Sequence, residues 1–129
     1  MDATELATDI RNGKLPDYSL YIPDLKNDGH DTGVAYADRW LSAKFGPLLA
    51  DSSFTDGLMF VVTFDEGKSL LFGSNHVATI LIGDGVPPGS ILDGHYNHYS
   101  LLRLVEDRFA LGTLGQNDVH ANVIIIPGT

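Results

Sequence analysis

The stretch Met59-Phe60-Val61-Val62-Thr63-Phe64-Asp65-Glu66-Gly67 constrains this chain more than any other. Aromatic and β-branched residues run without a charge, two carboxylates follow side by side, and a glycine closes the run. The apolar part is short for a helix and rich in strand formers, so it reads as a buried strand. Near-continuous apolarity marks strands covered on both faces, and these occur mostly in parallel sheets. In open α/β sheets, ligands bind beyond the carboxyl ends of the strands. Asp65 and Glu66 stand at such an end. Adjacent carboxylates repel unless a cation or a proton relieves them. Hard cations take oxygen ligands, so a divalent metal is the first candidate there. A strand followed by a solvated acidic turn is the plainer reading and stands beside it.

Around that strand, helical and strand signals alternate. Residues 4–12 predict a short helix, with Leu6 and Ile10 on one face and Gly13 as its stop. Residues 18–22 alternate and are β-prone, which predicts a strand closed by Pro23. Residues 34–49 carry a helical period, with Ala37, Trp40, Leu41, Phe45 and Leu48 on one face. Pro47 lies near its end, and residues 50–57 read as loop. Strands are expected at 58–64 and 77–83, and a long loop at 84–94. A helix follows at 100–109, with Leu101, Leu104 and Val105 as its buried stripe and Glu106 in its wet end. Residues 122–126 form a last apolar segment, read as an edge strand. The alternation predicts an α/β domain, a mainly parallel sheet flanked by helices.

The chain has 129 residues, which fits one domain with a modest core. With 43% hydrophobic and 19% charged residues it is globular. A net charge of -9 argues against nucleic acid and anionic membranes as partners. There is no cysteine, hence no disulfide or thiol chemistry. The start, Met1-Asp2-Ala3-Thr4-Glu5, is acidic and polar and does not read as a signal peptide. No apolar run approaches the roughly 20 residues of a membrane span. A cytoplasmic location is the expectation.

Three polar clusters fall near strand ends or helix starts: residues 27–31, Asp65-Glu66, and residues 95–100. Together they supply carboxylates, imidazoles and amides, an inventory suited to a metal with histidines near an anionic substrate. Taken singly, His30 reads as a surface histidine, and Asp31 or Thr32 as a helix cap. There is no Gly-rich phosphate loop, no His-Glu-x-x-His and no Gly-x-Ser-x-Gly. Nothing in the spacing of Ser100, His98 and Asp65 favours a nucleophilic triad.

Several ordered motifs carry a family resemblance. They are Leu15-Pro16-x-Tyr18-Ser19, Ile22-Pro23-Asp24, Asn27-Asp28-Gly29-His30-Asp31-Thr32, Val62-Thr63-Phe64-Asp65-Glu66, Asn97-His98-Tyr99-Ser100 and Leu114-Gly115 with Asn117-Asp118 and Ala121-Asn122-Val123. From residue 6 to 123 the chain resembles the C-terminal part of the phosphoesterase family. That family holds fungal secreted acid phosphatases and bacterial phospholipase C enzymes, within the alkaline-phosphatase-like superfamily. The resemblance implies a parallel α/β sandwich, here a truncated one, and hydrolysis of phosphate esters. It implies Asp65 and Glu66 as metal ligands and His30 and His98 at the substrate phosphate or leaving group. Asp28 and Asp31 would support that shell.

The resemblance also sets expectations about what is absent. Family members carry a long N-terminal region with an acidic-amide metal motif and a Ser or Thr nucleophile, and neither precedes Met1. His76 stands where many relatives have arginine. An impaired phosphoesterase module is therefore expected, with a divalent metal and a phosphate ester as its ligands. The alternative is a non-catalytic binding or self-assembling protein. Loss of N-terminal strands would leave an unpaired sheet edge, so a homo-oligomer is expected.

Overall fold

The computed structural model describes residues 3–67 and 75–127. The chain divides into two compact units, Met1–Leu58 and Met59–Thr129. Among the described residues no helix is long and apolar enough to cross a membrane.

The first unit is helical. α1 spans Leu6–Arg11, α2 Val34–Leu49 and the single-turn α3 Ser52–Thr55. In α2 the face holding Ala37, Trp40, Leu41, Phe45 and Leu48 turns inward, as the period requires. Phe45 is buried, and Trp40 and Tyr21 close round it with ring centroids 6.1 and 5.4 Å away. Such pairs each add about 0.5–1.5 kcal/mol beyond the area they bury. Lys44 Nζ lies 5.3 Å from the Tyr21 centroid, so the cation covers the ring from the solvent side. Pro47 stays inside the last turn of α2, where the amide of Ala50 still reaches Gly46. α3 arises in the expected loop because Asp51 caps it, accepting from the Ser53 amide at 2.9 Å and the Ser53 hydroxyl at 2.7 Å. These bonds hold the Asp51 carboxyl below its ordinary range.

The strand expected at 18–22 does not form. Residues 19–22 have no regular secondary structure, and Leu20 and Ile22 are exposed. The alternation is real, but it serves to send Tyr21 alone into the aromatic cluster, with no neighbouring strand to pair.

The second unit contains β1 (Met59–Thr63), β2 (Thr79–Gly83), α4 (His98–Arg108) and a 3-10 turn (Asn117–His120). β1 and β2 form a two-stranded antiparallel sheet in register Met59↔Gly83 to Thr63↔Thr79. The two threonine hydroxyls meet at 2.9 Å across its end. A mainly parallel sheet flanked by helices, the truncated alkaline-phosphatase-like sandwich, is therefore not what the described residues build. The reason is physical: unbroken apolarity says that both faces of a strand favour cover, not which way its neighbour runs. Here Val61, Ile80 and Ile82 remain exposed on the two faces of the pair. Residues 122–126 form no strand either. They nonetheless alternate, with Ile124 and Ile126 buried and Val123 and Ile125 exposed.

α4 begins two residues earlier than its apolar stripe suggests, because Asn97 and Ser100 make a reciprocal cap. The Asn97 side chain accepts from the Ser100 amide and the Ser100 hydroxyl from the Asn97 amide, both at 3.2 Å. α4 packs against the 3-10 turn. Glu106, expected in the wet end, is buried instead, 4% exposed.

Candidate functional site

In the first unit the turn-rich loop after residue 23 folds on its own aspartates. Asp24 accepts from the amides of Lys26 and Asn27, both at 3.0 Å. Asp28 Oδ1 accepts from the His30 amide at 2.7 Å. Gly29 takes φ +94°, and a Cβ there would lie 3.3 Å from Ala37 Cβ, so the loop sits directly on α2. His30 is exposed, and its Nδ1 lies 2.9 Å from Asp31 Oδ1. An ionised carboxylate only accepts, so Nδ1 carries the hydrogen and, in the neutral ring, Nε2 carries the lone pair. Asp28 thus fixes the backbone of His30 and Asp31 fixes its ring.

In the second unit β1 ends at Thr63 and delivers Asp65 and Glu66 to an exposed turn. Asp65 Oδ1 accepts from the Glu66 amide at 2.9 Å. The Asp65 carbonyl accepts from His98 Nε2 at 2.8 Å, across 33 residues of chain. That bond sets the His98 tautomer, leaving Nδ1 as the acceptor of the neutral ring. On the other side, the Gly67 amide donates to Asn75 Oδ1 at 2.6 Å. The acidic turn is therefore held between the start of α4 and the segment that leads into β2. Nearby motifs are stitched to this unit as well. Asn122 Nδ2 donates to the His95 carbonyl at 2.6 Å.

Asp118 is fully buried, and its carboxylate accepts from the amides of Leu114 and Gln116, both at 2.8 Å. Burial pushes its carboxyl up, but donation from the amides of Gln116, Asp118, Leu114 and Gly115 outweighs it and leaves the group below its ordinary range. The Leu114-Gly115 and Asn117-Asp118 pieces are thus a folding motif, an anionic knot that shapes the chain after α4.

Asp65 meets His98, and Asp28 and Asp31 meet His30; the first set belongs to the second unit and the other to the first. Among the described residues no three of His, Asp and Glu gather closely enough to hold a metal ion. Two adjacent carboxylates supply too few oxygens for a hard cation, which takes six or more. By themselves the described residues do not complete a cation site. Sequence reasoning passed over His76 and His95 as site residues. They line an open cleft of about 580 Å³ with Asn75, Leu92, Asp93 and Gly94. The signal for them lay only in the position of His76 just before β2 and of His95 at the head of the last polar cluster.

Comparison with known proteins follows the same motifs. The Phosphoesterase family profile matches residues 1–112. A probable acid phosphatase of Kluyveromyces lactis is 38% identical over 122 residues, covering 92% of this chain and 28% of that protein. An acid phosphatase of Aspergillus fumigatus is 32% identical over 126 residues, covering 95% of this chain and 28% of the relative. A phosphatidylinositol-3-phosphatase of Mycobacterium tuberculosis is 32% identical over 101 residues, covering 78% and 32% respectively. The chain thus spans under a third of the length of these curated relatives. No solved structure matches it.

Proposed function

Because the chain belongs to the Phosphoesterase family, we propose that it serves phosphate ester hydrolysis, with the acidic turn and His98 of the second unit directed at the phosphoryl group. The observation that carries this reading is the hydrogen bond from His98 Nε2 to the Asp65 carbonyl, which joins two motifs distant in sequence. In this reading Asp65 and Glu66 would be two ligands of a divalent cation, a set that the described residues do not complete. A bound cation would polarise a phosphoryl oxygen. The residues of this chain do the rest. His98, its Nε2 hydrogen committed to the Asp65 carbonyl, offers Nδ1 to a proton near the ester. In the first unit His30, its ring aligned by Asp31, is a separate candidate for proton transfer. Asp28 keeps the His30 backbone in place.

A second reading is favoured by the exposure of Asp65 and Glu66 and by the absence of a three-ligand cluster among the described residues. It is a binding or self-assembling role without turnover. Incubating the purified chain with p-nitrophenyl phosphate and Mg²⁺, Mn²⁺, Zn²⁺ or Ca²⁺ separates the two. Turnover that falls by about 10²-fold or more in Asp65→Ala and His98→Ala supports hydrolysis by this chain. No turnover above background with any of the metals supports the second reading.

A further inference from the structure

The cleft of the second unit adjoins the acidic turn without belonging to it. Asn75, at its edge, accepts from the Gly67 amide at 2.6 Å. Gly67 sits so close that a Cβ there would lie 3.2 Å from the His76 carbonyl oxygen. The cleft is open to solvent and encloses about 580 Å³. Its lining is mixed in kind. The Asn75 amide nitrogen donates, the Asp93 carboxylate accepts, and His76 and His95 bring imidazole rings, which when neutral do both. Leu92 adds a hydrocarbon surface. At Gly94 no side chain fits unless Tyr96 moves, since a Cβ would lie 2.7 Å from that ring.

That mixture discriminates among occupants. An isolated phosphate would meet the like charge of Asp93. A metal ion would lack ligands, since among the described residues no three of His, Asp and Glu converge. Neighbouring hydroxyls each donate and accept, which matches alternating donors and acceptors, and the C–H face of a ring suits Leu92. We propose that this cleft receives the polyhydroxylated part of a phosphate monoester, a sugar or polyol, while the phosphoryl group lies at the Asp65-Glu66 turn. The position of the phosphoryl group rests on the reading above; the preference for hydroxyls rests on the cleft alone.

The test is NMR of the 129-residue chain labelled with ¹⁵N-histidine, titrated with glucose, inorganic phosphate and glucose 6-phosphate. Glucose alone shifts the imidazole resonances of His76 and His95 and leaves His30 and His120 in place. Glucose 6-phosphate binds about tenfold more tightly than inorganic phosphate, and Asp93→Ala removes that preference while phosphate affinity holds within about twofold. Asp93 is exposed, so its replacement leaves the fold intact, which circular dichroism checks. Imidazoles of His76 and His95 unmoved by both sugars, or a preference that survives Asp93→Ala, overturns the proposal. Glucose shifts at His76 and His95 without a phosphate shift at His98 uphold the cleft and overturn the phosphoryl assignment.

Discussion

Among the described residues neither carboxylate oxygen of Glu106 has a hydrogen-bond partner, although both are buried. Asp118, buried in the same unit, has amide donors on both oxygens. A buried polar group without a partner costs roughly 1–3 kcal/mol, more if charged. Arg103 is hydrogen-bonded through Nε to Asp107 at 2.8 Å and acts on Glu106 as a nearby charge. Glu106→Met, which keeps the volume and removes the polar atoms, should therefore raise unfolding stability by about 1–2 kcal/mol, read from the urea midpoint at unchanged m-value. Asp118 behaves in the opposite sense. Its carboxyl is depressed in the folded state, so its contribution is fully present above the unfolded value near pH 4 and is lost as pH falls through the folded one. Thermal melts below about pH 4 should show wild type losing stability faster than Asp118→Asn, which has no such group to titrate. Sequence could not separate these two carboxylates. Glu106 directly follows Val105, the last apolar residue of α4, at the start of the charged run Glu106-Asp107-Arg108 that normally points to water. Asp118 lies among turn formers that give no hint of burial.

At the level of elements, local signals were readable and pairings were not. α2 follows from its period alone, and β1 from five strand-forming residues bounded by a carboxylate pair. Which strand lies beside β1, and in which direction, depends on contacts made twenty residues away, and the apolar run is silent on this. Residues 18–22 show the same limit, since alternation there brings Tyr21 to Trp40 and Phe45 without a sheet. The cap of α4 is a local signal that the apolar stripe hid: Asn97 and Ser100, three apart, define its start before Leu101 appears. Because the same turn presents His98 to Asp65, the cap is also a positioning device for the candidate site. Asn97→Ala should lower stability by about 1 kcal/mol and Asn97→Asp by much less, since the carboxylate caps equally well. Denaturant melts of both variants check the stability. The His98 imidazole resonance reports whether its bond to Asp65 loosens in the alanine variant only.

For the molecule as a whole, area is the deciding quantity. The chain exposes 9659 Å². A folded monomer of 13.9 kDa is expected to expose roughly 6,700 Å², and two independent units of half that mass roughly 8,000 Å². A surplus remains over both figures. Its composition follows from the core: among the described residues only Phe45, Ile124 and Ile126 are buried hydrophobics, while Leu20, Ile22, Ile80 and Ile125 face outward. An isolated two-stranded sheet is marginal in water, and β1 and β2 keep apolar side chains exposed on both faces. A stable protein interface needs about 800 Å² from each partner, and the surplus is enough to supply it. With no other polypeptide in solution, the cover at hand is a second copy of the chain. Light scattering on the purified protein at micromolar concentration should therefore give at least twice 13.9 kDa. Charged substitutions on the exposed sheet, Val61→Lys with Ile80→Glu, should dissociate it, because a buried interface tolerates neither charge unpaired. A single-chain mass in wild type would mean that the exposed strands are tolerated uncovered.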